Sequence, residues 1–243
     1  MLKFTLKQYN VIALLALGFN SLTQAVPTLQ LDIGGGYYNL ADETVETFDN
    51  MFSVYAYATP GNTVTESSIL AETYYLSIAV TPQLASASDL GTIYVNGTAI
   101  NVTADMFYGN PPLDVTASNL DLPSHDIFDT YYAEIAFQFN PSNTSSIYNT
   151  MDNPGSGPLS GTGMFYSAFD IDASGLDPNI GLHFDLYNTA IKNRCECLTV
   201  DDFAPFSHDA AMVRNVPEPA TVWLTSIGLL GLFGGVTKRK IRA

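Results

Sequence analysis

The sequence predicts an all-β protein, an antiparallel β-sandwich of jelly-roll type, carrying an N-terminal signal peptide and one C-terminal transmembrane helix. Three observations carry this expectation. Between residues 26 and 215, short runs of β-branched and aromatic residues alternate with Gly, Pro and Asn clusters, and helical periodicity is scarce. A short uncharged apolar run stands before that body and a longer one after it, each flanked by basic residues. Of the 243 residues, 47% are hydrophobic and 14% charged, enough apolar material for a sizeable core and too much for a disordered chain.

At the N-terminus Lys3 and Lys7 precede the uncharged run Val11 to Phe19, and the small, polar stretch Asn20 to Ala25 follows. That order is the pattern of a secretory signal peptide over residues 1–25, cut by signal peptidase after Ala25 so that the mature chain starts at Val26.

In the body, strands are expected at Leu29 to Ile33, Phe52 to Ala58, Tyr74 to Val80, Thr92 to Val95, Tyr131 to Phe139, Met164 to Ile171 and Leu182 to Tyr187. Turn residues separate them, among them Gly34-Gly-Gly36, Pro60-Gly-Asn62, Thr81-Pro82, Asn96-Gly97 and Asn153-Pro-Gly155. Period-two alternation puts Ile135, Phe137 and Phe139 on one face and Glu134, Ala136 and Gln138 on the other, as packed sheets require. With no internal repeat and no long linker, residues 26–215 read as one domain.

Residues 216–243 form a third unit. Pro217-Glu218-Pro219 leads into a stretch that stays uncharged to Thr237, and Lys238, Arg239, Lys240 and Arg242 follow. At about 1.5 Å per residue, a helix over that stretch nearly matches a hydrocarbon core of roughly 30 Å. The basic tail then belongs in the cytoplasm and the body outside.

This tail resembles the PEP-CTERM sorting signal of Gram-negative bacteria, with Pro217, Glu218 and Pro219 matching its motif and Lys238, Arg239, Lys240 and Arg242 its basic cluster. The resemblance implies an exosortase as partner, the inner membrane as a transient anchor, and the cell surface or extracellular matrix as destination. The body resembles the choice-of-anchor N proteins in Pro27 to Asp32, in Leu122-Pro-Ser-His125 leading to Tyr131-Tyr132, in Gly181 to Tyr187 and in Phe203 to Asp209. That family implies an exported surface protein and assigns no catalytic residue; relative to its pattern the Cys195-Glu-Cys197 segment looks like an insertion.

All 24 acidic residues fall between Asp32 and Glu218, where the only bases are Lys192, Arg194 and Arg214. So acidic a surface repels phosphate and excludes nucleic acid as a partner. Each histidine has an acid beside it, as in His125-Asp126, His183-Phe-Asp185 and His208-Asp209, an arrangement that fixes an imidazole tautomer but makes no zinc motif. Asp170, Asp172 and Asp177 cluster at a strand end and are the candidate ligands for a cation, calcium being the one suited to oxygen donors. Cys195 and Cys197 are the only cysteines; export would permit their oxidation. No nucleophile elbow, phosphate loop or dinucleotide fingerprint occurs. The expected role is structural or adhesive, with no enzymatic activity. The alternatives are a carbohydrate-binding module for exopolysaccharide, which calls for an exposed row of tyrosines, and a glycan hydrolase, which calls for paired buried carboxylates.

Overall fold

The computed structural model describes residues 26–214, apart from 62, 85, 87, 88, 114–128 and 193–195. The expected signal peptide over 1–25 and sorting signal over 216–243, and with them the transmembrane segment, lie outside the described residues. Among the described residues no helix is long and apolar enough to cross a membrane.

The chain winds back and forth between two sheets. It opens with β1 (Leu29–Ile33), crosses to the hairpin β2 (Tyr37–Asn39) and β3 (Thr44–Thr47), and returns as β4 (Met51–Ala58). A short helix, α1 (Glu66–Ala71), leads to β5 (Tyr74–Thr81); Thr65 caps it, accepting from the Ser68 amide. The hairpin β6 (Gly91–Val95) and β7 (Thr98–Asn101) turns at Asn96-Gly97, where both residues have positive φ. β8 (Phe107–Gly109), β9 (Thr130–Phe137), β10 (Thr144–Ser146), β11 (Gly163–Leu176), β12 (Gly181–Lys192), β13 (Cys197–Phe203) and β14 (Ala210–Met212) complete the order.

The first sheet runs β1-β4-β11-β6-β7 with β10 against β11, and the second runs β2-β3-β14-β12-β5-β9-β8 with β13 against β12. Every expected strand is present, and β11 and β12 extend well past their expected ends. The strictly antiparallel expectation needs one correction: β14 pairs parallel to β3. Long connections permit this, since β3 and β14 lie at opposite ends of the body and no tight turn dictates their relative direction.

The sandwich forms because alternate residues on facing strands are apolar. Leu29, Leu31 and Ile33 of β1 and Val54, Ala56 and Ala58 of β4 point the same way, toward Leu76, Ile78 and Val80 of β5 and Leu182, Phe184 and Leu186 of β12. Phe52 meets Phe184 across the layers with ring centroids 5.9 Å apart, and Phe137 meets Phe169 at 5.0 Å, both edge to face. Each such side chain contributes about 1.5–3 kcal/mol by leaving water.

The outer face of the first sheet is closed by the chain itself. Gln30 and Asp32, pointing away from the core, have no exposure, because residues 147–163 fold over them. Asp32 accepts from the amides of Ile33 (2.9 Å), Gly155 (2.7 Å) and Gly157 (3.2 Å) and from the Tyr148 hydroxyl (3.0 Å). The hydroxyls of Tyr148 and Tyr57 are 2.7 Å apart; with one proton each, both bonds form when Tyr57 donates to Tyr148 and Tyr148 to Asp32. Gln30 donates to the Tyr148 carbonyl at 2.9 Å and accepts from the Thr150 amide at 3.1 Å. Gly155 makes this closure possible. Its φ is +72°, and a Cβ there would lie 2.3 Å from the Gly36 carbonyl oxygen.

Candidate functional site

The outer face of the second sheet is hollow instead. Three adjacent strands contribute small residues to its floor: Ala211 of β14, Gly181 of β12 and Ala79 of β5, with His183 opposite both Ala211 and Ala79 in register. A Cβ on Gly181 would lie 2.6 Å from Thr81 Oγ1 and 2.7 Å from the Met212 carbonyl oxygen, so glycine is what brings these strands to this spacing. Around the floor stand the β2–β3 hairpin, Phe206 and Asp209 on one side, Pro82, Pro111 and Thr130 on another, and Asn179, Val213 and Arg214 at the end. The result is a cavity of about 720 Å³, a size that suits a small organic ligand.

Among its charged side chains acids outnumber bases: Asp42, Glu43, Glu46 and Asp209 stand against Arg214. Asp42 and Glu43 sit exposed at the hairpin tip, with Glu43 in the left-handed region at φ +55°, while Glu46 is only 4% exposed. Glu46 accepts from the Tyr37 hydroxyl at 2.7 Å and from Asn39 Nδ2 at 3.0 Å, and the same Nδ2 is 2.8 Å from Asp42. Burial first, and then the neighbouring Glu46 carboxylate, push the Tyr37 hydroxyl up to about 12, so it stays a donor across the physiological range. At the far end Arg214 donates through Nε to the Ile180 carbonyl at 2.9 Å and through Nη1 to Asn50.

His183 lies on the floor with its side chain 17% exposed, its Nε2 3.2 Å from Asp185 Oδ1 and 3.5 Å from Asp209 Oδ2. Two carboxylates on one ring nitrogen keep the proton there, so they orient the imidazole and Nε2 faces them rather than a ligand. The adjacency His208-Asp209 is therefore not the contact the fold makes: Asp209 turns to His183. His208, 3% exposed, instead bonds Ser207 Oγ at 2.8 Å through Nδ1 and Asn149 Oδ1 at 3.0 Å through Nε2. Burial lowers its pKa to about 4, so it is neutral at pH 7. His125 lies outside the described residues.

The other sequence candidates are placed elsewhere. Asp170 and Asp172 project from the outer face of β11, and Asp177 follows the strand end. Asp170 accepts from Ser53 Oγ at 2.7 Å, and Asp177 accepts from the Asn179 amide at 2.8 Å and its Nδ2 at 3.0 Å. Asp172 accepts from the Ser174 amide at 2.9 Å, and its bonds to Ser174 hold it below the usual carboxylate range. Each carboxylate serves its own local contact, and among the described residues no group of three His, Cys, Asp or Glu side chains is placed to hold a metal ion. Pro217, Glu218, Pro219, Lys238, Arg239, Lys240 and Arg242 lie outside the described residues. Cys197, at the start of β13, is disulfide-bonded.

The tyrosines chiefly pack. Tyr57, Tyr74 and Tyr187 are fully buried, and Tyr75 stacks on Tyr187 with centroids 5.8 Å apart. The exposed aromatic side chains are scattered: Tyr37 stacked on Phe48 at 5.6 Å beside the cavity, Tyr94 on the first sheet, and Phe107 and Tyr108 on β8. The flat row that would mark a glycan platform is not among the described residues. What sequence reading missed is the hollow itself. Its signal was Ala79, Gly181 and Ala211, small residues on outward positions of neighbouring strands, which become a feature only once the register is known. No protein-family model matches the chain, and neither does any curated protein or solved structure.

Proposed function

We propose that this is an exported surface or matrix protein of structural or adhesive role, whose jelly-roll-like body presents the cavity of the second sheet as a glycan-binding site. The observation that carries the reading is the cavity: about 720 Å³, floored by alanine and glycine around His183 and ringed with hydroxyl, carboxylate and guanidinium groups. Apolar floors take the C–H faces of sugar rings, and such a rim exchanges hydrogen bonds with their hydroxyls. Repeated crossing between the two sheets supports the jelly-roll description. The disulfide at Cys197 suits an oxidising compartment, as does export by signal peptidase and sorting at Pro217-Glu218-Pro219 by an exosortase.

Binding of the full-length, detergent-solubilised protein to a glycan array is the direct test. Retention of one or more oligosaccharides, lost when Ala211→Trp fills the hollow, is the expected outcome. An array with no retained glycan overturns the glycan-binding reading. Deleting the exosortase should leave full-length chain in the inner membrane; unchanged processing would remove the sorting part of the proposal.

A further inference from the structure

A buried glutamate is ordinarily matched by a cation. Glu46 is 4% exposed, yet among the described residues it makes no ion pair, its only polar partners being Tyr37 and Asn39. Those donors take one site on each oxygen, and a carboxylate offers about four, so acceptor capacity remains. Glu46 also lines the 720 Å³ cavity, with Asp42 tied to it through Asn39 and Glu43 beside it on the rim. The nitrogen-bearing side chains that line the same cavity have other partners: His183 faces Asp185 and Asp209, and Arg214 is anchored on Ile180 and Asn50. A buried charge bordering a ligand-sized hollow is thus left for the ligand to neutralise.

We propose that the Glu46 end of the cavity binds the ammonium group of an amino sugar, so that the preferred ligand is a glycan carrying free amines rather than acetylated or neutral sugars. This rests on the glycan-binding reading of the cavity and adds its charge. The exposed Asp42 and Glu43 raise the local concentration of cations at the mouth, and Glu46 then receives a charge-assisted hydrogen bond. The Ala79 and Ala211 floor lies against the sugar ring, and Thr44 and Thr81 are in reach of its hydroxyls.

The test is calorimetric titration of the full-length protein at pH 6 and fixed ionic strength with a glucosamine trimer, its fully N-acetylated form, the neutral glucose trimer and trilysine. The expected result is that the glucosamine trimer binds at least about tenfold tighter than the other two sugars. Glu46→Gln should remove that preference at unchanged melting temperature, and Glu66→Gln on α1 should leave it intact. If Glu66→Gln weakens binding as much, bulk negative charge is responsible and the site assignment falls. Equal binding of the three sugars overturns the ammonium inference while leaving the glycan reading standing. Binding of trilysine with none of the sugars overturns the glycan reading and makes the cavity a basic-peptide site. No binding by any probe overturns both.

Discussion

The outward faces of the two sheets both bury carboxylates, and they deal with them differently. On the first sheet Asp32 receives four hydrogen bonds, one from the adjacent Ile33 amide and three, from the Gly155 and Gly157 amides and the Tyr148 hydroxyl, supplied when residues 147–163 fold over the strand. On the second sheet Glu46 receives two, both from its own hairpin, and borders a hollow. One face is finished by the chain; on the other the described residues leave a hollow. Burial alone thus does not separate a carboxylate saturated by its own chain from one with acceptor capacity to spare. The supply of donors does.

The two faces should differ most at Asp32. Asp32→Ala strands two glycine amides and a tyrosine hydroxyl and should cost about 3 kcal/mol or more in urea unfolding, whereas Glu46→Gln should change stability by less than about 1 kcal/mol. Equal losses would mean that the second face is as structural as the first.

Acidification acts next, through His208, which stands between the cavity-lining Phe206 and Asp209 in sequence and bonds Asn149 in the covering segment. The unfolded chain protonates this histidine near pH 6.5 and the folded chain only near 4, so stability is lost progressively as pH falls from 6.5 through 4. At about 1.36 kcal/mol per unit the full loss is on the order of 3 kcal/mol, and His208→Gln should flatten that slope. Asp32 acts in the opposite sense. Burial raises its pKa above 3.8, so between that raised value and 3.8 acidification favours the folded state, and Asp32→Asn should make the acid loss steeper. Melting temperatures from pH 4 to 7 for the three proteins check both signs.

Smaller effects come from side-chain volume. Gly155→Ala places a Cβ against the Gly36 carbonyl at a positive φ and should cost about 2 kcal/mol. Ala211→Leu enters open space in the cavity and should shift stability by no more than about 0.5 kcal/mol while abolishing ligand binding. A large loss from Ala211→Leu would show that the hollow is packed in solution.

The strands with strong alternation were legible from the sequence: β1, β4, β5 and β12 follow from their apolar periodicity. The short strands β2, β3 and β14 were not, since three or four residues such as Thr44-Val-Glu-Thr47 carry too little pattern, and their pairing depends on partners far along the chain. The cavity was illegible for the same reason: Glu46, His183, Asp209 and Arg214 converge through that long-range pairing. Sequence adjacency suggested His208 with Asp209, but the backbone changes there from the 3-10 turn that ends at His208 to the extended Asp209, the two side chains take different partners, and Asp209 joined His183 instead.

The parallel pairing of β14 with β3 has a consequence for how the protein is made. β14 sits between β3 and β12, so without residues 210–212 the second sheet is two pieces: the β2–β3 hairpin, and a block built on β12, β5, β9 and β8. A chain that emerges N-terminus first, from the ribosome or through a translocation pore, cannot join those pieces until its last described strand has come through. Completion of the sheet is thereby timed to the end of emergence, and until then the β2–β3 hairpin waits without its neighbour.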